Sequence, residues 1–137
     1  MCGIVAAASN RNVVPILLDG LTRLEYRGYD SAGIALAENN KILRIRRQGK
    51  VSELQKTVKK EQNFKSPIGV AHTRWATHGE PSEINAHPHI SGDDYSNNEI
   101  ALVHNGIIEN FADIRAVSYT HLRAHETEAD LVCRLLL

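Results

Sequence analysis

The sequence predicts a single α+β domain in which antiparallel strands pack against helices. Its 137 residues, 42% of them hydrophobic, are enough for one modest core and too few for two. Short apolar runs at residues 3–8, 68–72 and 100–103 are typical of buried strands. Between these runs, residues 13–24 follow a helical period, which predicts a helix packed on the sheet.

Local signals define the elements in the first half of the chain. Asn12 is the predicted N-cap of the first helix, with Pro15 in its first turn. Two strands, residues 34–38 and 41–47, flank Asn39-Asn40 and predict a hairpin. Ser52 to Gln55 matches a capping box, so a second helix is expected to start near residue 53, with Leu54 and Val58 facing inwards.

Residues 25–33 are dense in glycine, aromatic and charged side chains, and they allow two interpretations. Gly28 is a plausible cap at the end of the first helix. Alternatively, Arg27 is a fixed cation that holds a backbone carbonyl or a catalytic turn. Composition does not choose between them.

Residues 73–89 form a long irregular segment with the only tryptophan, three histidines and no hydrophobic period. Loops of this kind inside small domains usually enclose a ligand, so we expect a lid over a binding site. Five histidines offer nitrogen ligands, but their spacing matches no recurrent metal motif, so we expect neither metal nor cofactor. We expect them instead to bond loop carbonyls; they are His72, His78, His87, His89 and His104.

The strand at residues 100–103 leads into His104-Asn105-Gly106, and residues 107–108 are predicted to continue it after a bend. Asn-Gly usually marks a tight turn with positive φ. An asparagine amide beside a glycine N–H also forms a compact pair of donors for a carbonyl oxygen that gains negative charge. One turn can serve both purposes.

Cys2 follows the initiator methionine and is small enough for Met1 to be removed by an aminopeptidase. The residue would then carry a thiol, with a pKa near ~8.5, and a free amine, with a pKa near ~8, so the nucleophile would bring its own base. The alternative is that Cys2 is an ordinary small residue at the start of a buried strand.

Charge and cysteine content exclude several classes of function. Lysine plus arginine equals aspartate plus glutamate at 16 each, so neither nucleic acid nor an anionic membrane is an expected partner. The sequence has no recognisable signal peptide or membrane span, which predicts a cytoplasmic protein. Cys2 and Cys133 lie at opposite ends of the chain and are expected to be free thiols.

Five motifs in order closely resemble the N-terminal glutaminase domain of the glutamine–fructose-6-phosphate aminotransferases, a branch of the class II glutamine amidotransferases. They are Cys-Gly-Ile, Tyr-Arg-Gly-Tyr-Asp-Ser-Ala-Gly, His-Thr-Arg-Trp-Ala-Thr-His-Gly, Asn-Ala-His-Pro-His and His-Asn-Gly-Ile-Ile-Glu-Asn. The resemblance implies an N-terminal-nucleophile hydrolase fold, a four-layer αββα sandwich with antiparallel sheets.

The resemblance also implies a site. Cys2 would attack the side-chain amide of glutamine, with Asn105 and Gly106 as the oxyanion hole and Arg74 as the partner of the substrate carboxylate. Trp75, Thr77 and His78 match the loop that closes on glutamine. Arg27 and Gly28 match residues that support the nucleophile's surroundings, and His87 matches a position that shapes the pocket. The ammonia would aminate fructose 6-phosphate on a separate synthase domain of a homo-oligomeric parent enzyme.

The resemblance stops near residue 115. We expect residues 1–115 to be a partial glutaminase domain, incomplete at its C-terminus, and residues 116–137 to be a non-native tail on a chain that folds poorly. The family's amine-binding aspartate would be replaced by Asp130, by Glu128 or by neither. The alternative function is a catalytically silent fragment or glutamine-binding module.

Overall fold

A computed structural model describes residues 1–38, 41–60, 64–77, 79–91 and 99–121. Among these residues an antiparallel sheet has the strand order β1-β4-β2-β3, and β5 and β6 pair antiparallel in a second sheet. The strands are β1 (Gly3–Ala8), β2 (Ser31–Glu38), β3 (Lys41–Gln48), β4 (Ile68–Arg74), β5 (His89–Ser91) and β6 (Ile100–Leu102).

The predicted hairpin is confirmed, as are the strands predicted at residues 3–8, 68–72 and 100–103. β2 and β3 pair with Glu38 opposite Lys41, so the predicted link of Asn39-Asn40 lies between them, outside the described residues. β4 extends two residues beyond its predicted end. Its last residues still have partners on both sides, with Thr73 opposite Gly3 of β1 and Arg74 opposite Ser31 of β2, and these ladders keep the chain extended.

Two helices cover one face of the larger sheet, α1 (Val14–Leu24) and α2 (Val51–Lys60). Alternate strand residues pack against these helices. A Cβ at Gly69 of β4 would lie 2.7 Å from the side chain of Leu17 in α1 and 2.8 Å from that of Leu36 in β2. Leu54 and Val58, the predicted inward positions of α2, are buried, as are Leu17 and Leu21 of α1. This helical face holds the hydrophobic core.

The predicted helix caps were wrong in detail. Val13, not Asn12, is the N-cap of α1, although Asn12 Oδ1 still accepts hydrogen bonds from the backbone N–H groups of Val14 and Ser66, at 3.2 Å each. α2 begins at Val51, so Ser52 lies inside the helix. The backbone N–H of Val51 donates to Glu25 Oε1 at 2.7 Å. A carboxylate at the N-terminal end of a helix also interacts favourably with the helix dipole.

The chain after β6 differs from the expected strand. Residues 107–108 do not continue β6, and the chain instead leads into α3 (Phe111–His121). The predicted domain boundary after residue 115 falls inside this helix and stays a prediction. Glu128, Asp130 and residues 131–137 lie outside the described residues. No helix in the described part of the chain is long and apolar enough to cross a bilayer.

The other face of the sheet receives the segment that leads into β5. A Cβ at Gly33 of β2 would collide with the backbone carbonyl of His87, so this segment lies directly on the sheet. Arg46 of β3 fixes the same segment, because its Nη1 donates to the carbonyls of Ile84 and Ala86 at 2.9 Å each. We call this the inner face.

Candidate active site

The thiol of Cys2 lies against the peptide that follows β4. Because Gly3 pairs with Thr73, the residue before β1 lies beside the residues after Thr73. The backbone N–H of Trp75 donates to Cys2 Sγ at 3.4 Å, and the sulfur lies 3.8 Å from the carbonyl oxygen of Trp75. The peptide after β4 therefore fixes the position of the sulfur.

A neighbouring loop holds this peptide in place. A Cβ at Gly28 would lie 2.9 Å from the carbonyl carbon of Arg74 and 3.0 Å from the nitrogen of Trp75, so only glycine allows this approach without a backbone shift. Asp30 adds two hydrogen bonds: its N–H donates to the carbonyl of Arg74 at 3.1 Å, and its Oδ2 accepts from the N–H of Ala76 at 2.6 Å. No local pattern in the sequence indicates this role of Asp30, since only the fold brings residues 30 and 76 together.

Asn105 reaches the nucleophile from the end of the second sheet. Its Nδ2 donates to the carbonyl oxygen of Cys2 at 3.1 Å, and its Oδ1 lies 2.8 Å from Nε2 of His72. The next residue, Gly106, has φ +155°, which confirms the predicted positive φ. Asn105, one of the two predicted oxyanion donors, thus contacts Cys2.

A cavity of about 570 Å³ opens in front of these groups. This volume is within the range of small-molecule sites. The predicted site residues that line it are Cys2, Arg27, Arg74, Trp75, Thr77, His87, Asn105 and Gly106, joined by Met1, His72, Asn85, His104, Ile107, Ile108, Glu109 and Phe111.

Arg74 places a positive charge in the cavity wall. Its side chain lies on the inner face, only 8% of the residue is exposed, and Nη1 donates to the carbonyl of Glu80 at 3.2 Å. Burial lowers the pKa of Arg74, while the charges of Cys2 and Asp30 oppose that shift. Because arginine titrates far above neutral pH, the guanidinium stays charged and suits a carboxylate ligand.

The other predicted residues occupy different parts of the wall. Trp75 is 40% exposed and packs edge-on against Tyr29, with ring centroids 5.4 Å apart. Thr77 N–H donates to the carbonyl of Trp75 at 3.0 Å, and His78 lies outside the described residues. Arg27 is exposed and its Nε donates to the Tyr26 hydroxyl at 3.0 Å. Gly28 and Asp30 contact the peptide beside the nucleophile, and a supporting role for Arg27, which lines the cavity, stays a prediction.

Three histidines stack on the inner face. The rings of His72 and His87 have centroids 4.4 Å apart, and those of His87 and His89 are equally close. Burial lowers the pKa of His72 to about 4 and that of His87 to about 2, so both are neutral near pH 7. Hydrogen bonds to loop carbonyls were expected; His72 has a backbone hydrogen bond at His104, whereas His87 and His89 are held by ring contacts. In the described ranges, no group of three or more His, Cys, Asp or Glu residues is placed to hold a metal ion.

Comparisons with known proteins identify the family of this chain. Residues 1–137 match the family described as class-II glutamine amidotransferases. Three relatives are named glutamine–fructose-6-phosphate aminotransferase [isomerizing]. The protein from Acinetobacter baylyi is 49% identical over 99% of this chain, the one from Vibrio parahaemolyticus is 55% identical over 95%, and the one from Vibrio cholerae is 52% identical over 99%. The chain spans only about a fifth of their length, at 21%, 20% and 22%.

Two solved structures show the same fold. One, described as the allosteric regulatory enzyme of purine biosynthesis, has a TM-score of 0.73 and 24% identity, and covers 88% of this chain and 25% of its own. The other, glutamine phosphoribosylpyrophosphate amidotransferase from B. subtilis, has a TM-score of 0.67 and 23% identity, and covers 93% and 27%. They confirm the predicted N-terminal-nucleophile hydrolase fold, and the full-length family match leads to one conclusion: this chain belongs to the class II glutamine amidotransferases.

Proposed function

We propose that this chain hydrolyses the side-chain amide of glutamine through a thioester on Cys2. One observation carries the proposal: residues far apart in the sequence, Cys2, Arg74 and Asn105, line one cavity of substrate size. The cavity thus combines a nucleophile, a cation for a carboxylate and a donor for a developing oxyanion.

Once Met1 is removed, the free α-amine of Cys2 takes the thiol proton. The thiolate adds to the amide carbon, and Asn105 and the Gly106 N–H hold the resulting oxyanion. When the tetrahedral intermediate collapses, the C–N bond breaks, and the nitrogen receives the proton from the α-amine and leaves as ammonia. Water then adds to the thioester, releases glutamate and restores the thiol.

Substrate orientation in this proposal depends on the cation and on the loop after β4. Arg74 pairs with the α-carboxylate through a planar fork, which fixes the direction of the substrate as well as its charge. Trp75, Thr77 and His78 belong to the loop that closes on glutamine, while His87 shapes the pocket from the inner face.

The destination of the ammonia is a wider proposal about a longer protein. The relatives named above are aminotransferases of fructose 6-phosphate, and this chain corresponds to about a fifth of their length. We propose that this domain supplies ammonia to a synthase domain that binds fructose 6-phosphate. A homo-oligomeric parent and a cytoplasmic location stay predictions.

The test is glutamate release from glutamine by protein whose N-terminus is shown by mass spectrometry to be Cys2. Cys2→Ser should remove hydrolysis and leave glutamine binding measurable by calorimetry, because the hydroxyl is a much poorer nucleophile at the same place. Hydrolysis by the serine variant at the wild-type rate would contradict the N-terminal-nucleophile assignment.

A silent glutamine-binding module is the second candidate, and it would result if Met1 stays attached. Met1 is 76% exposed at the cavity rim, and while it is attached, the nitrogen of Cys2 is an amide without basicity. Protein that retains Met1 should therefore bind glutamine and release no glutamate. A variant with an uncleaved extension before Cys2 has no free α-amine on that residue. Full activity of this variant would exclude the amine-base mechanism.

A further inference from the structure

We propose that His72 is a positioning residue that orients the side-chain amide of Asn105 for oxyanion stabilisation. This inference rests on the proposed glutaminase function and extends it to a residue that does not touch the reacting atoms. Its basis is the contact between His72 Nε2 and Asn105 Oδ1, at 2.8 Å.

The orientation of the Asn105 amide follows from its two neighbours. The carbonyl oxygen of Cys2 has no hydrogen to give, so the group that faces it at 3.1 Å must be the NH₂ of Asn105. The opposite end, Oδ1, then faces His72 and accepts only. His72 must therefore carry its proton on Nε2, which makes it the donor in this pair.

Asn105 needs such a partner because packing does not hold it. The residue is exposed at the cavity wall, where an asparagine amide can turn over and exchange its donor and acceptor ends. Turned over, Oδ1 would face the oxyanion and repel it. The bond from His72 opposes this rotation, and it leaves the second N–H of Nδ2 available to the substrate.

His72 is itself fixed. It lies in the middle of β4 between Ile4 of β1 and Gly33 of β2, and 1% of it is exposed. His87 covers its ring, and this approach is possible because Gly33 has no side chain to meet the backbone of His87. Burial keeps the imidazole neutral at physiological pH, so it donates a hydrogen bond without adding a second cation beside Arg74.

The kinetic test compares variants at position 72. His72→Phe keeps a stacked ring and removes the donor, and we expect kcat to fall about tenfold with KM nearly unchanged. His72→Gln places an amide N–H close to the lost Nε2–H and should restore most of kcat. His89→Phe is the matched control: it is also a buried ring of the same stack, and it should lower kcat less than His72→Phe does.

A double-mutant cycle separates positioning from general destabilisation. If His72 acts through Asn105, His72→Phe should have no further effect on kcat in protein that already carries Asn105→Ala. Independent, multiplying losses from the two substitutions would overturn the proposal, as would a kcat for His72→Phe equal to that of wild type.

A measurement without turnover keeps this inference separate from the proposed function. In ¹⁵N NMR spectra of the whole chain, His72 should show a protonated Nε2 and an unprotonated Nδ1 near pH 7. The opposite tautomer would overturn the positioning role even if the protein hydrolyses glutamine. The expected tautomer in a protein without glutaminase activity would leave the geometry supported and remove only the catalytic proposal.

Discussion

The two faces of β4 serve different purposes near the end of the strand. Gly69 and Ala71 meet the helices, and Leu17 closes over them in the hydrophobic core. Their neighbours His72 and Arg74 lie on the inner face, where they line the cavity. Because side chains alternate along a strand, one element supplies the core and the site at once. Substitutions on the helical face should therefore change stability alone, whereas those on the inner face should also change activity.

Leu17→Ala should give the largest effect on the helical face. The side chain is fully buried, and its loss leaves a cavity in the core, so we expect the free energy of unfolding to fall by about 2–5 kcal/mol. Urea unfolding measures this change, and kcat per folded molecule should stay the same. A large change of kcat without loss of stability would break the division between the faces.

Asn105→Ala should show the largest effect on activity. The oxyanion exists only in the transition state and the intermediate, so kcat should fall by about 100- to 1000-fold with little change in substrate affinity. Arg74→Ala should mainly weaken glutamine binding, because the carboxylate is present throughout the reaction. Steady-state kinetics with isothermal calorimetry distinguishes the two, and equal losses of affinity would refute this assignment of roles.

The stacked histidines should make the inner face sensitive to acid. Their pKa values are depressed in the folded state, to about 4 for His72 and about 2 for His87, so below pH 6.5 the unfolded chain binds protons that the folded chain does not. This proton uptake by the unfolded chain lowers the free energy of unfolding. The decrease is absent above pH 6.5, grows as pH falls and levels off for His72 near pH 4. Between pH 7 and 5 each histidine should destabilise the fold by about 2 kcal/mol.

His87→Phe tests this prediction, since it keeps a ring in the stack and removes one titrating group. Its free energy of unfolding should decrease less than that of wild type between pH 7 and 5, in urea titrations at both values. An identical decrease in the two proteins would show that His87 is not the source of the acid sensitivity.

Arg23→Ala should have the smallest effect. Arg23 Nε lies 3.0 Å from Asp19 Oδ2 on the outer side of α1, with side chains 78% and 64% exposed. Solvent screens such pairs, so the free energy of unfolding should change by no more than about 0.5 kcal/mol. A loss comparable to that of Leu17→Ala would mean that the outer side of α1 is not a free surface.

Local patterns in the sequence were sufficient for some elements and insufficient for others. The apolar period of α1 and the link between β2 and β3 depend on neighbours in the chain, and both were predicted. The contacts of His72 with Asn105, and of Asp30 with the peptide after β4, join residues 33 and 46 positions apart, and no local pattern indicates them. The predicted capping box at Ser52 was wrong for the same reason, because Glu25 caps α2 from another element.

Arg74 was predicted from a resemblance in short motifs, whereas Cys2 and Asn105 were also indicated by their own chemistry, and all three line one cavity. The residues that hold them in position were not predicted as such. His72 was considered only as a possible metal ligand or lid residue, and Gly33 was given no role. Positioning residues of this kind show themselves only when the strand register is known.

The position of β1 at the edge of its sheet has a consequence for amide exchange. β1 pairs only with β4 in the described sheet, whereas β4 is held between β1 and β2. Opening β1 breaks one ladder and opening β4 breaks two, so backbone amides next to Cys2 should exchange with solvent faster than those around His72. The strand that presents the thiol is therefore able to open locally while the strand that bears His72 and Arg74 remains closed.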